Sequence, residues 1–288
     1  MKLFLRDDLA DAWKGRDPFQ MAQAQQGEIY RDKEGRRTLR FEIDGRGYFL
    51  KLHQGVGWGE IFKNLVQGRL PVLGAANEYR AIRALEKLGL DTLAVAGYGR
   101  RGINPATQLS FLVTDELSGV ESLEDFCGRW PQQPPTFALK RRLIRRVADI
   151  SRIFHGAGLN HRDYYLCHLL LETSARPGEF GAEVTAADIE RRRIHLLDLH
   201  RAQIRARVPR RWLVKDIGGL YFSALDIGLS ARDVFRFMRV YRQRPLREIL
   251  TEEGAFWRAV ARRARRIYVR DFHREPHSPA WLGGSGRR

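Results

Sequence analysis

The hydrophobic pattern of this chain changes period once, near Thr114, and that change constrains the fold class more than any other feature. Before it, apolar residues alternate. Gly27 to Arg31 reads as a strand, a turn follows at Asp32-Lys33-Glu34-Gly35, and Thr38 to Ile43 sets Leu39, Phe41 and Ile43 against Thr38, Arg40 and Glu42. Asp44-Gly45 marks a tight hairpin, since Asp and Gly tolerate the left-handed backbone such a turn requires. Tyr48 to Leu52 is the return strand, and Leu93 to Tyr98 and Leu109 to Val113 complete a five-stranded antiparallel sheet. After Thr114 the period is helical. Leu139 to Ala157 puts Leu143, Ile144, Val147, Ile150, Ile153 and Phe154 on one face and a row of basic residues on the other. Helices follow over Lys215 to Ile227, from Ser230 with Asp233 closing a capping box, and over Thr251 to Phe272. The expectation is an α+β chain with a strand-rich lobe over 1–114, a helical lobe over 115–273 and a disordered basic tail over 274–288.

Charge narrows the partners. Lys and Arg number 51 against 34 Asp and Glu, a net charge of +17, which favours polyanions such as anionic lipid, phosphorylated glycan or an acidic protein. Nucleic acid would also suit that charge, but no reader motif or basic–aromatic platform is present, so it is not expected as a partner. Two cysteines, Cys127 and Cys167, in no metal-like or redox spacing, suit a reduced cytosolic compartment. The N-terminus meets Asp7 and Asp8 before any apolar region develops, and no apolar run reaches membrane-span length. The stretch 53–74 carries Trp58, Ile61, Phe62, Leu65 and Val66 at helical spacing. That helix packs on its own sheet or touches lipid or a partner.

Five residues, in order, suggest chemistry, and each has a plain structural alternative. Lys51 interrupts the apolar run of the return strand, as a guard on an exposed sheet edge or as a phosphate-binding cation. Asn77 reads as an N-cap and Glu78 as a first-turn acid, which answers the helix dipole or reaches back to Lys51. His161-Arg162-Asp163 opens a segment that continues through His168 into the apolar run Leu169 to Leu171. Asp198 ends the short apolar strand Ile194 to Leu197, capping a turn or holding a metal ion. A protein kinase has this order: strand lysine, helix glutamate, His-Arg-Asp with Asn five residues later, and a metal-binding Asp. Here His168 stands at the Asn position, and a ring nitrogen can also ligate a metal, although magnesium favours oxygen. Asp115 and Leu117 fall where a kinase hinge binds adenine through its backbone, and Gly35 falls at the counterpart of the glycine-rich loop.

A narrower resemblance rests on Gly45 to Lys51, Gly57-Trp58-Gly59-Glu60-Ile61, Pro71 to Ala75, Cys167-His168, Asp198-Leu199-His200-Arg201-Ala202-Gln203 and Leu220 to Asp226. Over roughly Lys2 to Arg270 the chain resembles the lipopolysaccharide core heptose kinases, the WaaP (RfaP) family, with a two-lobed protein-kinase-like fold. The resemblance implies transfer of the ATP γ-phosphate to a hydroxyl of the first inner-core heptose. It implies that Lys51 and Glu78 hold the phosphates, that Asp198 and His168 hold Mg, and that Asp163 orients the acceptor. Arg162 and Arg201 are candidates for acceptor or phosphate contacts, with solvated surface arginines as the alternative. The implied partners are the inner-core glycolipid, the anionic inner face of the inner membrane at which the chain would sit peripherally, and an acidic protein such as an acyl carrier protein.

Overall fold

The computed structural model describes residues 1–33, 35–55, 57–59, 74–104, 106–173 and 184–276. They fall into two compact units, the first Met1–Ala84, Thr92–Ser118 and Leu199–Arg201, the second Leu85–Asp91, Gly119–Asp198 and Ala202–Arg288. The apolar helix expected over 53–74 and the tail beyond 276 lie outside the described residues, apart from the short stretches at 53–55, 57–59 and residue 74.

The first unit is built on an antiparallel sheet of six strands, one more than the alternation predicts. Its strands are β1 (Lys2–Leu5), β2 (Glu28–Lys33), β3 (Arg36–Ile43), β4 (Arg46–His53), β5 (Val95–Arg101) and β6 (Leu109–Asp115), in the order β1-β5-β6-β4-β3-β2. The unforeseen β1 has only four residues, too few for alternation to register, and it pairs through its backbone with β5, Lys2 opposite Arg100. The hairpin at Asp44-Gly45 forms as expected, with Ile43 opposite Arg46 and both turn residues in the left-handed region.

Alternation decides which face of the sheet is buried. Leu39, Phe41, Leu50 and Leu52 enter a core with Phe111 and Val113. Two helices the sequence reading did not anticipate, α1 (Asp7–Ala12) and α2 (Pro18–Ala24), cover it. Their Trp13 and Phe19 meet the Phe111 ring edge-on at 5.8 and 5.3 Å. Gly99 makes room for that ring, since a Cβ there would lie 2.3 Å from Phe111. On this sheet β4 is bonded on each side, so the edge-guard reading of Lys51 fails.

Helix α3 (Ala76–Lys87) stops where Gly89 enters the left-handed region, and Leu90 N–H caps Leu85 C=O at 3.0 Å. Asn77 is not its N-cap. It lies inside the first turn, and its amide donates to His200 C=O at 2.9 Å.

In the second unit, β7 (Val120–Ser122) leads into α4 (Leu123–Gly128) and then the long α5 (Phe137–Gly156), capped by Thr136. Short strands follow: β8 (Leu159–Asn160), β9 (Leu169–Glu172), β10 (Ile194–Leu196) and β11 (Gln203–Ile204), with α6 (Ala186–Arg191) before β10. They form a three-stranded sheet, β10-β9-β7, and a two-stranded one, β11-β8. Three helices complete the unit: α7 (Arg210–Ser223), α8 (Ala231–Arg242) and α9 (Leu246–Phe272). The Ser230–Asp233 capping box of α8 is present. Helices α7 and α9 begin about five residues earlier than periodicity predicts because Pro209 and Pro245 stand at their N-caps, with φ already fixed for helix entry. Their apolar faces and that of α8 close a core around Ala148, Ile217, Met238, Tyr241, Trp257 and Val260.

Candidate active site

In the first unit, Lys51 Nζ lies 2.6 Å from Glu78 Oε1. Leu50 and Leu52 commit one face of β4 to the core, so Lys51 projects from the other, where the first turn of α3 presents Glu78. The glutamate is only 2% exposed. Gly35 sits in the left-handed region at the β2–β3 turn, its C=O accepting from Gln54 N–H at 2.8 Å. A Cβ there would lie 2.4 Å from Gly55 C=O, so this turn approaches the backbone beneath it as closely as only glycine permits.

At the end of β6, Asp115 and Leu117 differ in kind. The Asp115 carboxylate is clamped by Arg6 at 2.7 Å and Arg46 at 2.7 Å, and its N–H is spent on Ala94 C=O at 2.9 Å. Glu116 N–H donates to Gly47 C=O at 3.0 Å. Of the two residues expected to meet adenine, Asp115 therefore has no N–H to offer. The Leu117 main chain makes no hydrogen bond among the described residues.

In the second unit, the turn from His161 to His168 is fixed from beneath. Asp216 on α7 is fully buried, its Oδ2 accepting from His161 N–H at 2.6 Å and its Oδ1 from Arg162 N–H at 2.8 Å. His155 Nε2 lies 3.3 Å from the same carboxylate. These bonds accompany a strained main chain, with φ of 78° at Arg162. The His161 ring, 0% exposed, places Nε2 2.7 Å from Leu197 C=O. A carbonyl only accepts, so His161 carries its proton on Nε2 and ties this turn to the residue before Asp198. Burial holds the His161 pKa below its ordinary value, in keeping with a neutral ring.

His168 stacks on His161 at 5.7 Å and 13°, and its Nδ1 lies 2.7 Å from Asp163 C=O. Nδ1 must donate, so in the neutral ring Nε2 holds a lone pair, 3.6 Å from Asp198 Oδ2. The β9–β10 pairing, Leu196 opposite Leu169, and Leu197 N–H donating to His168 C=O at 2.9 Å set that juxtaposition. Asp198 itself has φ of 57°. Lys215 on α7 brings Nζ to 3.6 Å from Asp163 Oδ1. Arg162 lies over the Trp212 ring at 4.9 Å. Arg201 is half-buried in the turn after Asp198.

A model of the lipopolysaccharide kinase (Kdo/WaaP) family matches residues 20–241. The chain belongs to that family. It is 50% identical over 270 residues to the lipopolysaccharide core heptose(I) kinase WaaP of Pseudomonas aeruginosa, covering 94% of this chain and 97% of that protein. It is 47% identical over 266 residues to the enzyme of the same name from Escherichia coli K12, covering 92% and 97%. A solved structure of WaaP in complex with acyl carrier protein superimposes with a TM-score of 0.79 at 45% identity, spanning 93% of this chain and all of that one. The α+β, protein-kinase-like fold class expected from the WaaP (RfaP) resemblance holds.

The structure brings Lys51 together with Glu78, and Asp163 together with His168 and Asp198. Two participants escaped the sequence reading. Asp216 and Lys215 sit about fifty residues beyond Asp163 on α7, with no local pattern that marks them. Burial pushes the Cys167 thiol up to about 11.

Proposed function

We propose that this chain is an ATP-dependent kinase that phosphorylates a hydroxyl of the first inner-core heptose of lipopolysaccharide. The observation that carries the chemistry is the placement of His168, whose Nδ1 is held 2.7 Å from Asp163 C=O while its Nε2 lies 3.6 Å from Asp198 Oδ2. The acceptor rests on relatives 46–50% identical over more than nine-tenths of the chain, named as heptose(I) kinases.

The residues divide the task by charge. Lys51, held by Glu78, neutralises nucleotide phosphates, and the Gly35 turn covers them. The unbonded Leu117 main chain receives the adenine. Asp198 and His168 would be the residues that hold a magnesium ion. When bound, the ion neutralises charge on the phosphates. Asp163 orients the acceptor hydroxyl and takes its proton late, in a transition state loose enough that positioning outweighs basicity. Lys215, beside Asp163, adds a cation where the transferred phosphoryl group arrives. Arg162 and Arg201 hold further phosphates of the acceptor through their planar donor forks. We further propose a cytoplasmic site of action at the membrane face and an acidic carrier protein as a partner.

The test is a side-by-side transfer assay from radiolabelled ATP to two dephosphorylated core acceptors, one containing heptose and one ending at Kdo. Turnover of the heptose acceptor alone, lost in Asp163→Ala, is expected. Turnover of the Kdo-only acceptor, or turnover that survives Asp163→Ala, overturns the reading.

A further inference from the structure

An open groove runs between α5 and α8, and none of the candidate-site residues lines it. Seven arginines and a single carboxylate, Asp149, line it. Three of the arginines are satisfied within the protein: Arg152 by Asp149 at 3.1 Å, Arg236 by Asp233 at 2.8 Å and Arg244 by Glu252 at 2.7 Å. The other four, Arg141, Arg145, Arg232 and Arg239, are exposed and make no ion pair among the described residues.

Their spacing is costly. Arg141 and Arg145 on α5, and Arg232 and Arg236 on α8, repeat a positive charge at four-residue intervals, which destabilises a helix. The rim adds an apolar element. Phe137, at the start of α5, is 67% exposed, with the Arg236 guanidinium 5.1 Å over its ring. Unopposed arginines in a groove that also holds an exposed aromatic ring match a surface that offers phosphates above an apolar layer. No helix among the described residues is long and apolar enough to cross a membrane.

We propose that the α5–α8 groove docks the anionic phospholipid headgroups of a bilayer, with Phe137 entering the interface. The purpose assigned to this docking rests on the function proposed above, but the binding itself does not.

The experiment is co-sedimentation of the full chain with vesicles of phosphatidylcholine alone or with a quarter phosphatidylglycerol, neither containing any heptose acceptor. Retention on the anionic vesicles only, reversed by high salt, is expected. The variant Arg141→Gln/Arg145→Gln/Arg232→Gln/Arg239→Gln should weaken retention on the order of 100-fold with an unchanged unfolding temperature. A control with the same charge change on exposed arginines of α9, Arg247→Gln/Arg258→Gln/Arg262→Gln/Arg266→Gln, should keep most of it. Equal losses in the two variants would assign the effect to net charge and overturn the groove as the site. So would absence of retention by the unsubstituted chain, or loss of acyl carrier protein binding in the groove variant while vesicle binding persists. Phosphorylation of a water-soluble core oligosaccharide, measured in parallel, should be equal in all three proteins. Its failure would count against the kinase reading alone.

Discussion

Lys51 Nζ and Glu78 Oε1 stand 2.6 Å apart, yet the lysine side chain is 28% exposed and the glutamate 2%. Removing the lysine therefore strands an enclosed carboxylate, whereas removing both groups leaves no such carboxylate. Lys51→Met should cost about 1–3 kcal/mol of stability, and Lys51→Met/Glu78→Leu should recover most of that loss. Activity should stay absent in each, because the proposed phosphate-binding cation is gone. Urea unfolding and a transfer assay on the same samples separate the two effects. Restored turnover in the double variant would remove Lys51 from the chemistry.

His168 offers a test of ligand type. Its Nδ1 is committed to Asp163 C=O, which leaves Nε2, 3.6 Å from Asp198 Oδ2, for the proposed metal ion. His168→Ala should raise the magnesium concentration for half-maximal turnover by about 10-fold or more. His168→Asn should return most of the loss, since it supplies an oxygen, the ligand magnesium prefers. A magnesium titration indifferent to either substitution would leave His168 as a packing residue.

Asp216 uses its two oxygens on two different backbone donors, His161 N–H and Arg162 N–H. Asparagine has one oxygen and would set an NH₂ group against one of those donors. Asp216→Asn should therefore be nearly as damaging as Asp216→Ala, costing about 2–3 kcal/mol and lowering turnover at least roughly 10-fold. Thermal unfolding and initial rates check this, and a benign Asn variant would show that the turn holds its shape without the carboxylate.

Stability should fall in mild acid through buried histidines. Burial holds His53 down to about 3 and keeps His155 and His161 below their ordinary value as well. In the unfolded chain each ring takes up a proton near pH ~6.5, and the folded state does not until well below that. The contribution is thus complete above pH ~6.5 and is lost as pH falls, by up to about 1.4 kcal/mol per pH unit for each ring. Hydrogen-bonded carboxylates such as Asp188 and Asp233, held below their usual range, add their losses only in the ordinary carboxylate region near pH ~4. Between about pH 4.5 and 6.5 the histidines dominate, and His53→Gln should flatten the slope. Urea midpoints across this range would contradict the account if they were level.

The sequence by itself determined most of the longer elements and the order in which the candidate residues occur. Alternation at Leu39, Phe41, Leu50 and Leu52 was legible because a strand with one buried face must repeat every two residues. The Ser230–Asp233 box and the Asp44-Gly45 hairpin were legible because each satisfies backbone geometry within four residues. Only the tertiary structure decided which side chains share a neighbour. It put β4 in the sheet interior, so that Lys51 answers Glu78 rather than guarding an edge. It moved Asn77 from cap to crosslink on His200. It also drew Asp216 and Lys215 beneath Asp163 from half a hundred residues away. Periodicity records which face of an element is buried, whereas contact across elements depends on how helices and strands pack, and no local pattern encodes that.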